Sequence, residues 1–467
     1  MIEATWKPNR PIAMIMSVVL LHATALQGCV TFKPVPPQDV GFMERAHTEE
    51  NEGVSVTVVA LGRKEAEQVM GVPLSSRGIQ PVWVEIRNDT DDERFAFFQQ
   101  SIDADYYAPS EVAYINHYSP LKRLLGWGVV GLLFPPLWLA IPFQLISAPV
   151  ANRRMDSHIG DSGIGNVLIE PDSRHEGFVF TRLDEGTKHV EITLLSPERS
   201  RKFDMFVPVP GVRADHQTIE ENIAEIRAAA REYDGPELHD ALVDLPCCTS
   251  NEKASANGDP VNLVIIATFE DMLHNFKRAG WDETEAITVG TSLKTARSFM
   301  LGTSYRYSPV SNLYLFERPQ DVAFQKARDT IHERNHLRLW LAPKLYRGKP
   351  VWVGQVSRDI GVRFTTRTWN LTTHAIDSDI DDSREATMGD LLQTGHVRLM
   401  GYVPGVGETD PDDPPENLTG DEYYTDGFRA VAELSPEPSE PLFFNWTRAD
   451  LGPTAESTRA TGADADR

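Results

Sequence analysis

VNLVIIATFEDMLHNFKRAGW, residues 261–281, decides the reading of the second half of the chain. Its first part, VNLVIIAT, is a continuous apolar run; FEDMLHNFKRAGW, from 269, is amphipathic with a period near 3.6. That combination is a buried strand feeding a helix. Working outward, NLYLFER (312–318), HLRLWLAP (336–343), PVWVGQVSR (350–358), VRFTTRTW (362–369), HVRLMGYV (396–403) and FRAVAEL (428–434) read as strands. TSLKTARSFML (291–301), QDVAFQKARDTIHERN (320–335) and SREATMGDLLQT (383–394) read as helices. Strands mixed with helices, without strict alternation, give an α+β domain around a mixed sheet over 240–445. Before it, 213–239 reads as a linker helix, with Ile219, Ile223 and Ile226 on one side. After it, the small polar residues of 446–467 read as a disordered tail.

The first half carries a different pattern. VSVTVVAL (54–61), PVWVEIRND (81–89), EGFVFTRL (176–183), KHVEITLL (188–195) and RKFDMFVPVP (201–210) are short β-rich runs bounded by Gly, Pro, Asn and Asp. They predict an immunoglobulin-like β-sandwich over 54–212. The fold class is therefore α+β overall.

The amino terminus reads as an export signal. Lys7 and Arg10 precede the uncharged apolar run Pro11–Leu26, which is too short to span a bilayer comfortably. Leu26-Gln27-Gly28-Cys29 follows and resembles the bacterial lipobox, which implies cleavage of 1–28 and lipid on Cys29. Val30 after that cysteine, by the same resemblance, implies the outer membrane of a Gram-negative envelope, facing the periplasm. Residues 29–53 read as lipid anchor and Pro-rich tether. The formal charge is −23, and removing 1–28, with Lys7, Arg10 and Glu3, takes it one unit further negative. Such an acidic chain is no nucleic-acid binder, because that needs basic surface to displace counterions. Of the three cysteines, Cys29 is assigned to lipid. Adjacent Cys247 and Cys248 can close a ring, stay reduced or bridge to another chain.

Residues 124–152, LLGWGVVGLLFPPLWLAIPFQLISAPVAN, are uncharged, with Lys122 and Arg123 before and Arg153 and Arg154 after. Pro135-Pro136 breaks any helix near the middle, and a single crossing would split one sandwich across a membrane. The expected form is an apolar hairpin dipping into the leaflet. Trp127, Phe134, Trp138 and Phe143 would be immersed, with the four basic residues at the headgroups. Burial in the protein itself or in a partner is the alternative.

Several ordered runs carry a resemblance over about 255–435. They are DPVNLVIIAT with its AGW helix end, LYLFERPQDVAFQKARDTIHERNHLRLWLAP, GKPVWVGQVSRDIGVRF and THAIDSDIDDSREATMGDLLQTGHV. This stretch resembles the LssY C-terminal domain family; Ser378 stands where that pattern has Pro. The resemblance implies an envelope location and no particular reaction. The first half is similar to that of envelope lipoproteins which pair such a sandwich with this domain.

Two constellations are candidates for chemistry. Asp377, Asp381 and Glu385 are spaced four apart, so one helix would line all three carboxylates along one face. Repulsion among them favours a cation or an arginine between them. With His374 they could hold a divalent metal; the alternative is an acidic first turn capped by Asp377 or Asp379. An EF-hand is excluded, because its Gly falls on Asp382 and its last Glu on Met388. The other constellation, His332-Glu333-Arg334-Asn335-His336, matches H-E-x-x-H literally. HLRLWL, however, reads as a strand, which would put His336, Arg338 and Trp340 on a polar face opposite Leu337 and Leu339. Two functions remain open: a membrane-anchored module binding an envelope protein or ligand, or a metal-assisted hydrolase, with a phosphoester as first substrate. The hydrolase needs His336, Arg338, His374, Asp377, Asp381 and Glu385 in one cleft. It fails if the two histidines lie more than about 10 Å apart, beyond one shared site.

Overall fold

The computed structural model describes residues 32–119, 141–211, 226–284, 310–327, 334–364 and 372–445. The chain divides into two units, Met1–Gly211 and Val212–Arg467.

Among the described residues the first unit holds eight strands: β1 (His47–Asn51), β2 (Val54–Ala60), β3 (Ile79–Asn88), β4 (Phe95–Phe97), β5 (Val167–Ile169), β6 (Ser173–Arg182), β7 (Gly186–Leu195) and β8 (Ser200–Val209). They form two four-stranded sheets, β1-β2-β3-β6 and β5-β4-β7-β8, antiparallel throughout. The two-residue turn Glu52-Gly53 between β1 and β2 has positive φ at both positions, which matches the right-handed twist of a tight hairpin. Val56, Val84 and Ile86 of the first sheet share a core with Phe97, Ile192, Phe203 and Met205 of the second. The other side of the first sheet packs Phe178 and Phe180 against Phe42 and against helices α1 (Arg63–Met70), α2 (Pro109–Asn116) and α3 (Ile141–Ser162).

Two expectations change here. The tether of 29–53 is part of the fold from Phe32 onward: Phe32, Val40 and Phe42 are buried, and 47–51 is β1. Its prolines suggested a spacer, but the apolar residues between them anchor it. The hairpin of 124–152 does not end at the basic pair. Helix α3 runs through Pro149, Arg153 and Arg154 to Ser162, burying Ala148, Ala151, Met155 and Ile159 while both arginines stay exposed. The charge pair marks a turn of the helix toward solvent, not its terminus. Lys122, Arg123, Trp127, Phe134 and Trp138 lie outside the described residues, as do the side chain of Phe143 and the whole of 1–31. Among the described residues no helix is long and apolar enough to cross a membrane.

The second unit starts with β9 (Arg231–Tyr233), α4 (Gly235–Val243), β10 (Cys248–Ser250), β11 (Asn257–Pro260), β12 (Leu263–Ile266), α5 (Phe269–Arg278) and β13 (Asp282–Glu283). Then come β14 (Tyr314–Leu315), β15 (Arg318–Pro319), β16 (Val322–Ala327), β17 (Arg334–Tyr346), β18 (Lys349–Phe364) and β19 (Thr372–Ile376). Helix α6 (Ile380–Gln393), β20 (Val397–Pro404), β21 (Phe428–Leu434) and β22 (Leu442–Phe443) complete it. The main sheet runs β13-β16-β17-β18-β12-β21-β20-β22, with β19 on β18 and β9 on β17; β11-β10-β14-β15 form a smaller one. It is mixed: β12 lies antiparallel to β18 and parallel to β21.

The quoted stretch is β12 and α5. Thr268 caps the helix by accepting from Asp271 N at 3.1 Å. Met272 and Phe276 then pack with Met388 and Leu391 of α6 on Leu263, Ile265, Leu337, Leu339 and Trp352. The opposite face, with Val264, Trp340 and Val353, is covered by Leu238 and Leu242 of α4 and by Leu315. A sheet covered on both sides explains why its central strands read as unbroken apolar runs.

Two helix expectations change. Of the linker helix of 213–239, residues up to 225 lie outside the description and 226–228 are helical; strand β9, which pairs with β17, and the start of α4 take up the remainder. The helix of 320–335 is strand β16 over 322–327, paired with β17, and His332 and Glu333 lie outside the description. PVWVGQVSR and the start of VRFTTRTW form one strand, β18. TSLKTARSFML and 446–467 also fall outside it. Cys247 and Cys248 are disulfide-bonded to each other at the entry to β10.

Candidate functional site

Pairing of β17 with β18 sets Arg334 opposite Asp359, His336 opposite Ser357, Arg338 opposite Gln355 and Trp340 opposite Val353. Alternation puts Arg334, His336, Arg338 and Trp340 on one face. That face is apolar at Trp340 and turns polar toward the start of β17, yet all of it is buried. Buried charges must find partners. His336 Nε2 lies 2.6 Å from Asp359 Oδ2, and Arg334 Nη1 donates to Gln325 Oε1 at 3.0 Å. Arg338 donates to Gln355 Oε1 at 2.7 Å and to Ser311 O at 3.0 Å. Asp259, on β11, accepts from Asn417 Nδ2 at 2.7 Å. Burial holds the Asp259 carboxyl above its ordinary range, against the pull of Arg338 and Asn417.

Burial also pushes His336 down to about 4, outweighing the attraction of Asp359. The ring is therefore neutral at neutral pH. With Nε2 facing a carboxylate, the hydrogen-bond partner assigns the proton to Nε2. Nδ1 is then a bare lone pair, buried and without a hydrogen-bond partner among the described residues. Leu337 and Leu339 do take the opposite face, as expected. The polar residues, however, are enclosed rather than presented, because Ser311 lies over Arg338 and the Arg318 carbonyl over Trp340. His336 lies in a strand, so the helical geometry that H-E-x-x-H requires is not formed there.

The acidic constellation takes the second of its two expected forms, an acidic first turn capped by Asp379 with an arginine among the carboxylates. Asp379 caps α6, accepting from Asp381 N and Asp382 N. Asp377 precedes the helix and accepts from Asp379 N at 3.2 Å, so only Asp381 and Glu385 are on α6. The cation between them is Arg384, whose side chain is 2% exposed. It donates to Asp381 Oδ1 at 3.1 Å, to Glu385 Oε1 at 2.8 Å and to both Asp426 oxygens at 2.8 and 2.9 Å. Burial works against the guanidinium charge, but Asp426, Asp381 and Glu385 together raise its pKa above the ordinary value. Tyr402 donates to the remaining Glu385 oxygen, Oε2, at 2.6 Å.

His374 is in β19, opposite Val362; its side chain lies outside the description. His336 is opposite Ser357, five positions back along β18. At about 3.3 Å per residue the two backbones are offset by roughly 16 Å along the strand. Helix α6 packs on the Leu337 and Val356 face of the sheet, so Asp381 and Glu385 do not share a cleft with His336 and Arg338 on the other face; Asp377 lies nearer, its N–H donating to the carbonyl of Arg358 beside Ser357. Sequence reasoning missed Asp359, Asp259, Gln355 and Asp426. Gln355 and Ser357, polar at alternate positions inside an apolar strand, were the available signal for the first three. Nothing local pointed to Asp426.

No curated protein matches the chain. A family model does: that described as LssY C-terminus matches residues 242–428, from the end of α4 to the first residue of β21. The matched stretch holds both polar constellations, and this part of the second unit is similar to the LssY C-terminus family.

Proposed function

We propose that the chain is a lipid-anchored binding protein of the cell envelope, held at the outer membrane by Cys29, with the second unit engaging a protein or ligand partner from the periplasmic side. The lipobox-like LQGC after a short apolar run supports the anchor, and the apolar 124–152 would add contact with the leaflet. The observation that carries binding over hydrolysis is intrachain neutralisation. Arg384 already occupies the space among Asp381, Glu385 and Asp426, His336 is tied to Asp359, and α6, which carries Asp381 and Glu385, packs on the Leu337 face of the sheet, opposite to that of His336. A divalent metal on His374, Asp377, Asp381 and Glu385 would have to displace a buried arginine. Membrane fractionation with acyl labelling tests the anchor. Cys29→Ala is expected to lose the label and, with 124–140 deleted so that helix α3 is kept, to become soluble. Unchanged fractionation of Cys29→Ala with no label on the native chain refutes it.

One atom favours a second reading. His336 Nδ1, oriented by Asp359 and flanked by Arg334 and Arg338, has the state of a general base beside cations that would stabilise a phosphoester transition state. Phosphoester turnover by the purified chain that is abolished in His336→Gln would establish this reading. Absence of turnover leaves the binding function.

A further inference from the structure

Strands β7 and β8 turn alternate residues away from the core of the first unit. On that outward face His189 and Glu191 sit two apart on β7, and Asp204 of β8 stands directly opposite Glu191. One donor atom from each of the three lies within 4.8 Å of the other two. We propose that this trio is a divalent transition-metal site, with one imidazole nitrogen and two carboxylate oxygens as ligands. This is independent of the proposed function above and lies outside the family match.

The backbone geometry favours convergence. Residues i and i+2 on one strand share a face, and a directly opposed cross-strand pair has Cβ atoms about 5 Å apart, so three side chains meet over one hairpin. Val190 and Ile192 on β7 and Phe203 and Met205 on β8 are buried beneath, which fixes the platform. The His189 ring stacks on Phe206, centroids 4.9 Å apart and planes 18° from parallel. This holds its orientation, with Nε2 at 2.6 Å from Asp204 Oδ1. Ligands on a tetrahedral zinc ion are about 3.4 Å apart, for bonds of about 2.1 Å. Reaching that spacing means opening the 2.6 Å His189–Asp204 pair, the ion replacing its hydrogen bond, and bringing Glu191 in from no more than 4.8 Å, both by side-chain rotation on a partly solvated face. The same exposure leaves a position for water, as three-ligand sites need.

One competitor is Lys202, whose Nζ lies 2.8 Å from Glu191 Oε2 with side chains 58% and 38% exposed. Such exposed pairs are weak and screened by salt, so a divalent ion can displace it. Two carboxylates and one neutral imidazole also bring charge that the ion offsets, and binding requires the imidazole unprotonated.

The test is titration of the chelator-treated full-length chain with zinc chloride, followed by calorimetry, with metal-free melting curves confirming that each variant folds. The native chain is expected to bind zinc in one site. His189→Gln and Asp204→Asn should weaken it at least about tenfold, the scale lost even when an outer partner of a ligand is removed. Lys202→Ala, which frees Glu191, should bind as tightly or more so. Glu191→Gln, whose partner is an exposed lysine, serves as third ligand variant if either of the others unfolds. No zinc binding by the native chain overturns the proposal, as does native affinity in the folded ligand variants.

Discussion

Strands β8 and β17 put polar residues to opposite uses. Along β8 buried and solvated positions alternate, so Lys202 and Asp204 face outward while Phe203 and Met205 fill the core. The first nine residues of β17 are all buried, Arg334, Asn335, His336 and Arg338 among them. The difference is coverage. The face bearing Lys202 meets solvent, whereas β17 has helices α5 and α6 on one side and α4 with the small sheet on the other. A polar residue on a one-sided sheet costs little wherever it points outward. On a two-sided sheet it must carry its own partner, as His336 does with Asp359.

Substitutions can break or sharpen that contrast. The largest expected effect is at Arg384. Arg384→Ala leaves Asp381, Asp426 and Glu385 without their cation and should destabilise the second unit by about 3–5 kcal/mol in denaturant unfolding. A loss below about 1 kcal/mol would mean the network is solvated after all. Next is His336, lowered to about 4 from 6.5. Between those pH values the unfolded chain binds the proton and the folded one does not, so stability falls as pH drops through that window. The full contribution, present above 6.5, is roughly 3 kcal/mol. His336→Gln should flatten that part of the stability–pH curve. The raised Asp259 acts in the opposite sense, so the native chain and the variant must be compared directly. An unchanged slope would place His336 in water. Third, Ile192→Val on β7 trims a fully buried side chain and should cost about 0.5–1.5 kcal/mol. Lys202→Ala, on the neighbouring strand but outward, should change thermal stability by less than about 0.5 kcal/mol. Equal losses at these last two would erase the inside–outside distinction in the first unit.

The same contrast explains what could be read from residues alone. Alternation exposed β2, β3, β6, β7 and β8, because one side of each is polar over much of its length. The run at 261–268 gave β12 and the amphipathic stretch after it gave α5. Strand β16 was hidden, because QKARD has helix-favouring residues locally and only pairing with β17 forces it extended. Phe32 and Phe42 were masked by surrounding prolines. Within the candidate site, Asp381, Arg384 and Glu385 were adjacent on paper, and an arginine among the acids was foreseeable from repulsion. His336 and Asp359 are 23 residues apart and Arg384 and Asp426 are 42 apart. Only sheet register and loop placement bring such pairs together, and no local periodicity encodes those.

The bond between Cys247 and Cys248 bears on the other end of the chain. With these two sulfurs closed on each other, the third of the three cysteines, Cys29, has no mate within the polypeptide. An alkylating reagent applied to the oxidised protein therefore has a single address. Its silence there would mean that something other than hydrogen already sits on that sulfur.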